Sequence, residues 1–351
     1  MKKYVKNSIA GANNGLIVNG TVNGDTVTIP VGAFGKLSTM MNGKSQTIGG
    51  KSHAEGSKTI ALENNAHAEG NETFAAGAHS HAEGNITSAI GNASHAEGGK
   101  TIAVGGFTHA EGYETEAIGN FSHAEGVFTK ARGEQSHVEG NETETGDDAP
   151  NAHAEGYKTH ALAFAAHTEG NETIASGLNS HAEGYNNVAS GVNSHAEGSD
   201  NEAFSNNSHV EGWDNTIIEN ANYSHAEGVK NTIRGIISHA EGSGNLVHSN
   251  YAHAEGSNHD IGGMADYAHA EGIGNSADGY ASHVEGGNNN AKGPYNHVSG
   301  FRNISDGEYQ TVIGRANKED ASKAFIIGNG EINPDYSVTD SNRANAMSVD
   351  W

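Results

Sequence analysis

A histidine and a glutamate stand two residues apart in the pentad Ser-His-Ala-Glu-Gly, and the pair returns along most of the chain. Imidazole and carboxylate together are the groups of general acid–base catalysis, and both are ligands for transition metals. Repetition argues against catalysis, because an active site is one constellation in one pocket. The pentad histidines and those of its variants fall at 53, 67, 81, 95, 109, 123, 137, 153, 167, 181, 195, 209, 225, 239, 253, 269, 283 and 297. The step is fourteen residues, except from His137 to His153, His209 to His225 and His253 to His269, where it is sixteen. No enzymatic activity is expected from such an array.

A ladder is the expected use. Its rungs are His53 with Glu55, His67 with Glu69, His81 with Glu83, His95 with Glu97, His109 with Glu111, His123 with Glu125, His181 with Glu183, and His195 with Glu197. Stacked coils bring each histidine about 5 Å from the next, and each glutamate likewise. Columns of like charge at that spacing are unfavourable, so each layer is expected to pair a raised-pKa imidazolium with a carboxylate. Stability should then fall as pH drops through the glutamate range or rises through the histidine range. Transition-metal ions are a second expectation, at a minority of layers such as that of His81, Glu83, His95 and Glu97. No other cofactor is expected.

The element that carries the pair is a strand. Small and polar residues alternate in the pentad, which puts His and Glu on one face and Ser and Ala on the other. Each unit has a second half of the form Thr-x-Ala-x-Gly, as at Thr101 to Gly105, seven residues away. From about Asn187 its threonine becomes asparagine, as at Asn201, Asn215 and Asn231, which predicts an internal asparagine ladder. Two short strands per fourteen residues, each ending in the Gly where the chain is expected to turn, describe an all-β solenoid with a thin core. A helical reading fails, because Gly at every seventh residue would cost about 1 kcal/mol per site.

Composition agrees. Of 351 residues 49 are Gly and only 4 Pro, aromatics make up 6%, and mean hydropathy is negative, so a large apolar core is unavailable. The formal charge of −24 disfavours nucleic acid as a partner, and no stretch reaches the ~20 apolar residues of a membrane span. The absence of cysteine excludes disulfides and thiolate metal sites. The amino terminus, MKKYVKNSIAGANNGLIVNG, starts basic but lacks the apolar run of a signal peptide.

Three segments are expected: a small β adaptor over residues 1–45, the repeat over 46–300, and a solenoid end over 301–351. The adaptor carries the hairpin-like run LIVNGTVNGDTVTIPVG from Leu16. In the last segment Thr311 to Gly314 and Phe325 to Gly328 keep the register without histidine.

The pattern S-x-A-x-G-x-x, doubled to fourteen, resembles the head repeats of trimeric autotransporter adhesins, the YadA-like heads, over residues 46–314. That resemblance implies a left-handed parallel β-roll with three chains around one axis. His and Glu stand here where those heads usually carry Val and Ile. The SHAEG form, followed by AFIIGNG from Ala324 and RANAMSVDW from Arg343, resembles phage tail-fibre and tail-appendage proteins, in which such a segment leads into a self-cleaving chaperone of the peptidase G2 type. It implies a virion-tail or extracellular homotrimer, made in the cytoplasm without a signal peptide. Tail or baseplate proteins would join it through the amino terminus, and a host-surface glycan or protein would be its target. A bacterial cell-surface trimeric adhesin is the alternative. The His/Glu face is expected to line the trimer axis.

Two outward features complete the reading. Aromatic residues follow the pentad glycine at Tyr113, Tyr157, Tyr185, Trp213 and Phe301, suited to covering a coil edge or stacking on a sugar. The two-residue insertions, around Asp147 to Asn151, Glu219 to Tyr223 and Gly262 to Tyr267, should bulge outward.

Overall fold

The computed structural model describes residues 45–351 and, before them, the backbone of the strands Thr21–Asn23 and Thr26–Thr28. Those two strands pair antiparallel with Thr21 opposite Thr28, where the Asn-Gly and Gly-Asp signals predict a hairpin. The rest of the expected adaptor up to residue 44 lies outside the described residues. Two compact units divide between Leu162 and Ala163. Each is a parallel β-solenoid of about fourteen residues per coil.

A coil in either unit contains a five-residue strand that opens on the pentad histidine and a two-residue strand from the second half. In the first unit these are His95–Gly99 and Ile102–Ala103; in the second, His195–Ser199 and Glu202–Ala203. Like strands pair in parallel and in register. His95 stands opposite His81 and His109, and Glu97 opposite Glu83 and Glu111. The second unit repeats this with His195 between His181 and His209.

Side-chain size decides what lies between the two sheets. Ala82, Ala89, Ala96 and Ala103 are 0% exposed, Thr101 is 0% and Ser94 1%, while His and Glu point out. Alanine loses no rotamer freedom on burial, so many small inward residues order at low entropic cost even though each removes little apolar area.

The turns differ from the glycine-based expectation. Residues with φ near +60° recur every seventh position, at His79, Ile86, Ala93, Lys100 and Phe107 for example. Their amides donate to the preceding coil, as Ile86 does to the Asn71 carbonyl at 2.9 Å and Lys100 to that of Asn85 at 2.9 Å. That ladder holds ordinary residues in a conformation that costs them about 1 kcal/mol or more. The pentad glycine instead sits inside the long strand. Gly84 has φ +115°, and a Cβ there would lie 2.1 Å from the Gly98 carbonyl oxygen. Close approach of successive coils, and not the turn, demands glycine.

The sixteen-residue coils place their additional residues between the short strand and the next long one. Asp147 projects there with 87% of its side chain exposed, as expected of a bulge. Each insertion also turns one alanine inward, Ala149, Ala221 or Ala265, all 0% exposed.

Near the carboxyl end of the second unit, Thr311–Arg315 and Lys323–Asn329 keep the register, with Thr311 opposite His297 and Phe325 opposite Thr311. The tail then returns. Strand Asn345–Asp350 pairs antiparallel with Lys323–Asn329, bringing Val349 opposite Phe325 and Met347 opposite Ile327. This covers a sheet edge that would otherwise present unpaired backbone groups. Arg343 ties the return to the coils, with Nη1 donating to the carbonyls of Arg302 at 3.0 Å and Asn317 at 3.2 Å. Among the described residues no helix is long and apolar enough to cross a membrane.

Candidate functional site

Register in the long-strand sheet superposes the imidazoles of each unit into a column. Ring centroids of His81 and His95 are 4.7 Å apart with planes 7° from parallel, and those of His195 and His209 4.8 Å and 3°. The glutamates form a second column beside it. In several coils the histidine Nε2 faces the carboxylate of its own strand, at 3.8 Å for His67–Glu69 and His81–Glu83, 3.9 Å for His95–Glu97 and His109–Glu111, 3.4 Å for His181–Glu183 and 3.6 Å for His195–Glu197. His53 and Glu55 approach to 3.4 Å, with 61% and 71% of their side chains exposed. In two places the partner lies one coil away: His225 with Glu211 at 3.8 Å and His297 with Glu285 at 3.5 Å. Seven of the eight expected rungs therefore bring His and Glu within 4.0 Å, most as near contacts and not hydrogen bonds, whereas His123 and Glu125 do not meet.

At several coils the protonation expected is reversed. Burial, then the neighbouring imidazoles, hold His67, His95, His123, His225 and His269 below the ordinary histidine value, against the opposing pull of the glutamates. His181 is pushed down to about 4, first by burial and then by His167 and His195. An imidazolium in this column would face another ring on each side at under 5 Å, while its carboxylate is 35–50% exposed and screened by water. At those coils the ladder favours a neutral imidazole stacked beside the column of carboxylates. Crowding shows within the second column: a hydrogen bond to Glu197 raises the Glu211 carboxyl, with burial adding to it.

Charge compensation lies on the other sheet of the first unit. There Glu116, Lys130, Glu144 and His160 stand opposite one another in successive coils. Arg132 meets Glu144 at 2.9 Å, His160 Nδ1 meets it at 3.2 Å, and Lys100 meets Glu114 at 2.5 Å. The second-half positions vary in type, so no single motif announces these pairs.

The asparagine ladder stands as expected inside the second unit. Asn201 Nδ2 donates to the Glu197 carbonyl at 2.7 Å and to that of Gly212 at 2.8 Å, while its Oδ1 accepts from the Asn215 amide at 2.9 Å. Sequence reasoning missed that His259 takes one rung. It is 1% exposed, its Nε2 lies 2.9 Å from the Glu255 carbonyl, and its Nδ1 accepts from the Asn275 amide at 3.1 Å. Those partners require the neutral tautomer with the proton on Nε2, and burial lowers its pKa accordingly. The signal was in the spacing: His259 is fourteen residues after Asn245 and sixteen before Asn275.

The aromatic residues after the pentad glycine are exposed at Tyr113, Tyr157, Tyr185 and Trp213, yet several have cations of the same chain over their faces. Lys100 lies 5.1 Å from the Tyr113 ring, Lys158 5.0 Å from Tyr157, Lys230 4.8 Å from Trp213 and Arg302 5.6 Å from Phe301. A different aromatic row was not foreseen: Tyr251, Tyr267, Tyr280, Tyr295 and Tyr309, with successive centroids 4.7–5.5 Å apart.

Donor sets of metal-binding type recur in the ladder. His95 with Glu97 and His109, His181 with Glu183 and His195, His195 with Glu197 and His209, and His269 with Glu271 and His283 each bring three ligand atoms within 4.8 Å of one another. No protein-family model matches this sequence, and no curated protein emerges as a relative.

Proposed function

We propose that this chain is a structural and host-attachment component of a phage tail fibre or tail-like particle, working as a homotrimer whose His/Glu face lies toward the axis. One observation carries the reading: the fate of that face at the carboxyl end of the second unit. The positions that hold His and Glu in earlier coils hold Thr311 and Ile313, then Phe325 and Ile327, and the returning strand adds Met347 and Val349 beside them. Met347 and Val349 are 48% and 43% exposed. A contiguous apolar patch continuous with an invariant column is suited to cover by further copies of the chain. The same outward pair in coil after coil, on an open sheet, favours construction over turnover. The resemblance of the repeat to adhesin heads and tail appendages supplies the cellular setting.

Light scattering on the purified chain is expected to give a trimer, and Ile327→Asp to lower the mass toward that of one chain; a monomeric parent chain overturns the assembly. Antibody against the chain is expected to decorate tail structures of released particles. Labelling of the bacterial envelope instead replaces the phage setting with that of a surface adhesin.

A further inference from the structure

We infer that the second unit holds a site for a divalent first-row transition metal, such as Zn2+ or Ni2+, built from His181, Glu183, His195, Glu197 and His209. The Nε2 atoms of these three histidines are shut off from solvent and make no hydrogen bond. A polar atom left in that state costs about 1–3 kcal/mol, and here the cost recurs from coil to coil, which calls for an occupant. The separations suit an ion. Nε2 and Oε2 lie 3.4 Å apart in His181–Glu183 and 3.6 Å apart in His195–Glu197. Two ligands each about 2.1 Å from one metal, at an angle near tetrahedral or somewhat wider, span that distance.

Overlap strengthens the site, since His195 belongs to both three-ligand groups. Glu183, Glu197, Glu211 and Glu227 line one shallow groove over Gly198, Gly212 and Gly228, and a cation there would relieve the contact between Glu197 and Glu211. The backbone beneath is tied in place, because Asn187 and Asn201 donate to the carbonyls of Glu183 and Glu197. Imidazole nitrogen beside carboxylate oxygen selects Zn2+, Ni2+ or Cu2+ over Mg2+ and Ca2+, which take all-oxygen shells. The ligand atoms of His181, Glu183 and His195 lie within 4.8 Å of one another, against the roughly 4.2 Å that two ligands on one ion can span. The His–Glu pair of one coil, already at that spacing, would therefore capture the metal, and the next imidazole would have to tilt toward it. All these ligands come from one chain, so the inference stands or falls independently of assembly.

The test is calorimetric titration of the chelator-stripped full chain with ZnCl2 at pH 7.5, together with native mass spectrometry to count bound ions. Saturable binding at about 10 μM or tighter is expected. The double variant His195→Asn, Glu197→Gln should hold at least one ion fewer per chain, whereas His160→Asn, outside the column, should leave the count unchanged. Glu197→Gln alone keeps side-chain size and should weaken the affected site about tenfold even if the double variant folds poorly. Absence of saturable binding in the parent chain, or an unchanged count and affinity in both ladder variants, overturns the site.

Discussion

The two units carry different residues at one inward position of the same coil, threonine in the first and, from Asn187, mostly asparagine in the second. Thr59, Thr73, Thr87, Thr101, Thr115 and Thr129 are buried, and their hydroxyls have no hydrogen-bond partner. Asn201, Asn215, Asn231 and Asn245 are equally buried, and each reaches two carbonyls and receives the amide of the next rung. A thin core of small residues therefore has two solutions. The first unit accepts an idle hydroxyl as a volume filler in most coils, Thr143 with its bond to the Glu139 carbonyl excepted; the second converts the same site into a hydrogen-bonded column that also fixes the backbone under the glutamates.

What the units share should produce the largest effect. Gly126 and Gly212 have φ of +110° and +105°, and a Cβ on either would lie 2.1 Å from the next coil's carbonyl oxygen. Gly126→Ala and Gly212→Ala are each expected to lose about 4 kcal/mol or more, similarly in both units, by urea unfolding. A mild effect in one unit alone would mean that close approach is not what sets the coil spacing there.

The contrast itself comes next. Asn215→Ala leaves the carbonyls of Glu211 and Gly228 and the amide of Asn231 without their partner, an expected loss of about 3 kcal/mol. Thr115→Val removes a buried hydroxyl that bonds to nothing and should leave stability unchanged or raise it, by up to about 1–3 kcal/mol. Equal losses for the two would erase the distinction between the walls.

A smaller, pH-dependent effect probes the one imperfect rung. The folded-state pKa of His259 is lowered, so its neutral form contributes stability fully present above the ordinary value near 6.5 and lost as pH falls below it. His67, His95, His123, His195, His225, His253 and His269 share that sign, and His181 extends the window down to about 4. Melting temperature is expected to hold above pH 7 and to drop between pH 6.5 and 4. His259→Asn should make that drop shallower, and an unchanged acid slope would remove His259 from the account.

The period, the two strands per coil, the inward alanines and the asparagine ladder were all legible, because each depends on alternation along the chain or on recurrence at fourteen. The His–Glu rungs were legible as positions and not as chemistry. Glu97 lies 3.9 Å from His95, near enough to suggest an ion pair, but burial and the stacked rings of His109 and His81 hold that imidazole below its ordinary value. Alternating charge was found on the opposite sheet instead, between Glu116, Lys130 and Glu144, residues without a shared motif.

Local covalent geometry explains what could be read directly: a strand alternates its faces, so pentad composition alone sends His and Glu outward and Ser and Ala inward. Glycine's role needed the neighbouring coil. Gly84 looks like a turn residue in the sequence, yet the chain turns at Ile86, and Gly84 is required because the Gly98 backbone passes where its side chain would be. The same holds for the protonation of the histidines and for the returning strand at Asn345–Asp350, since desolvation, ring stacking and edge pairing are contacts between residues that only the stacked coils bring together.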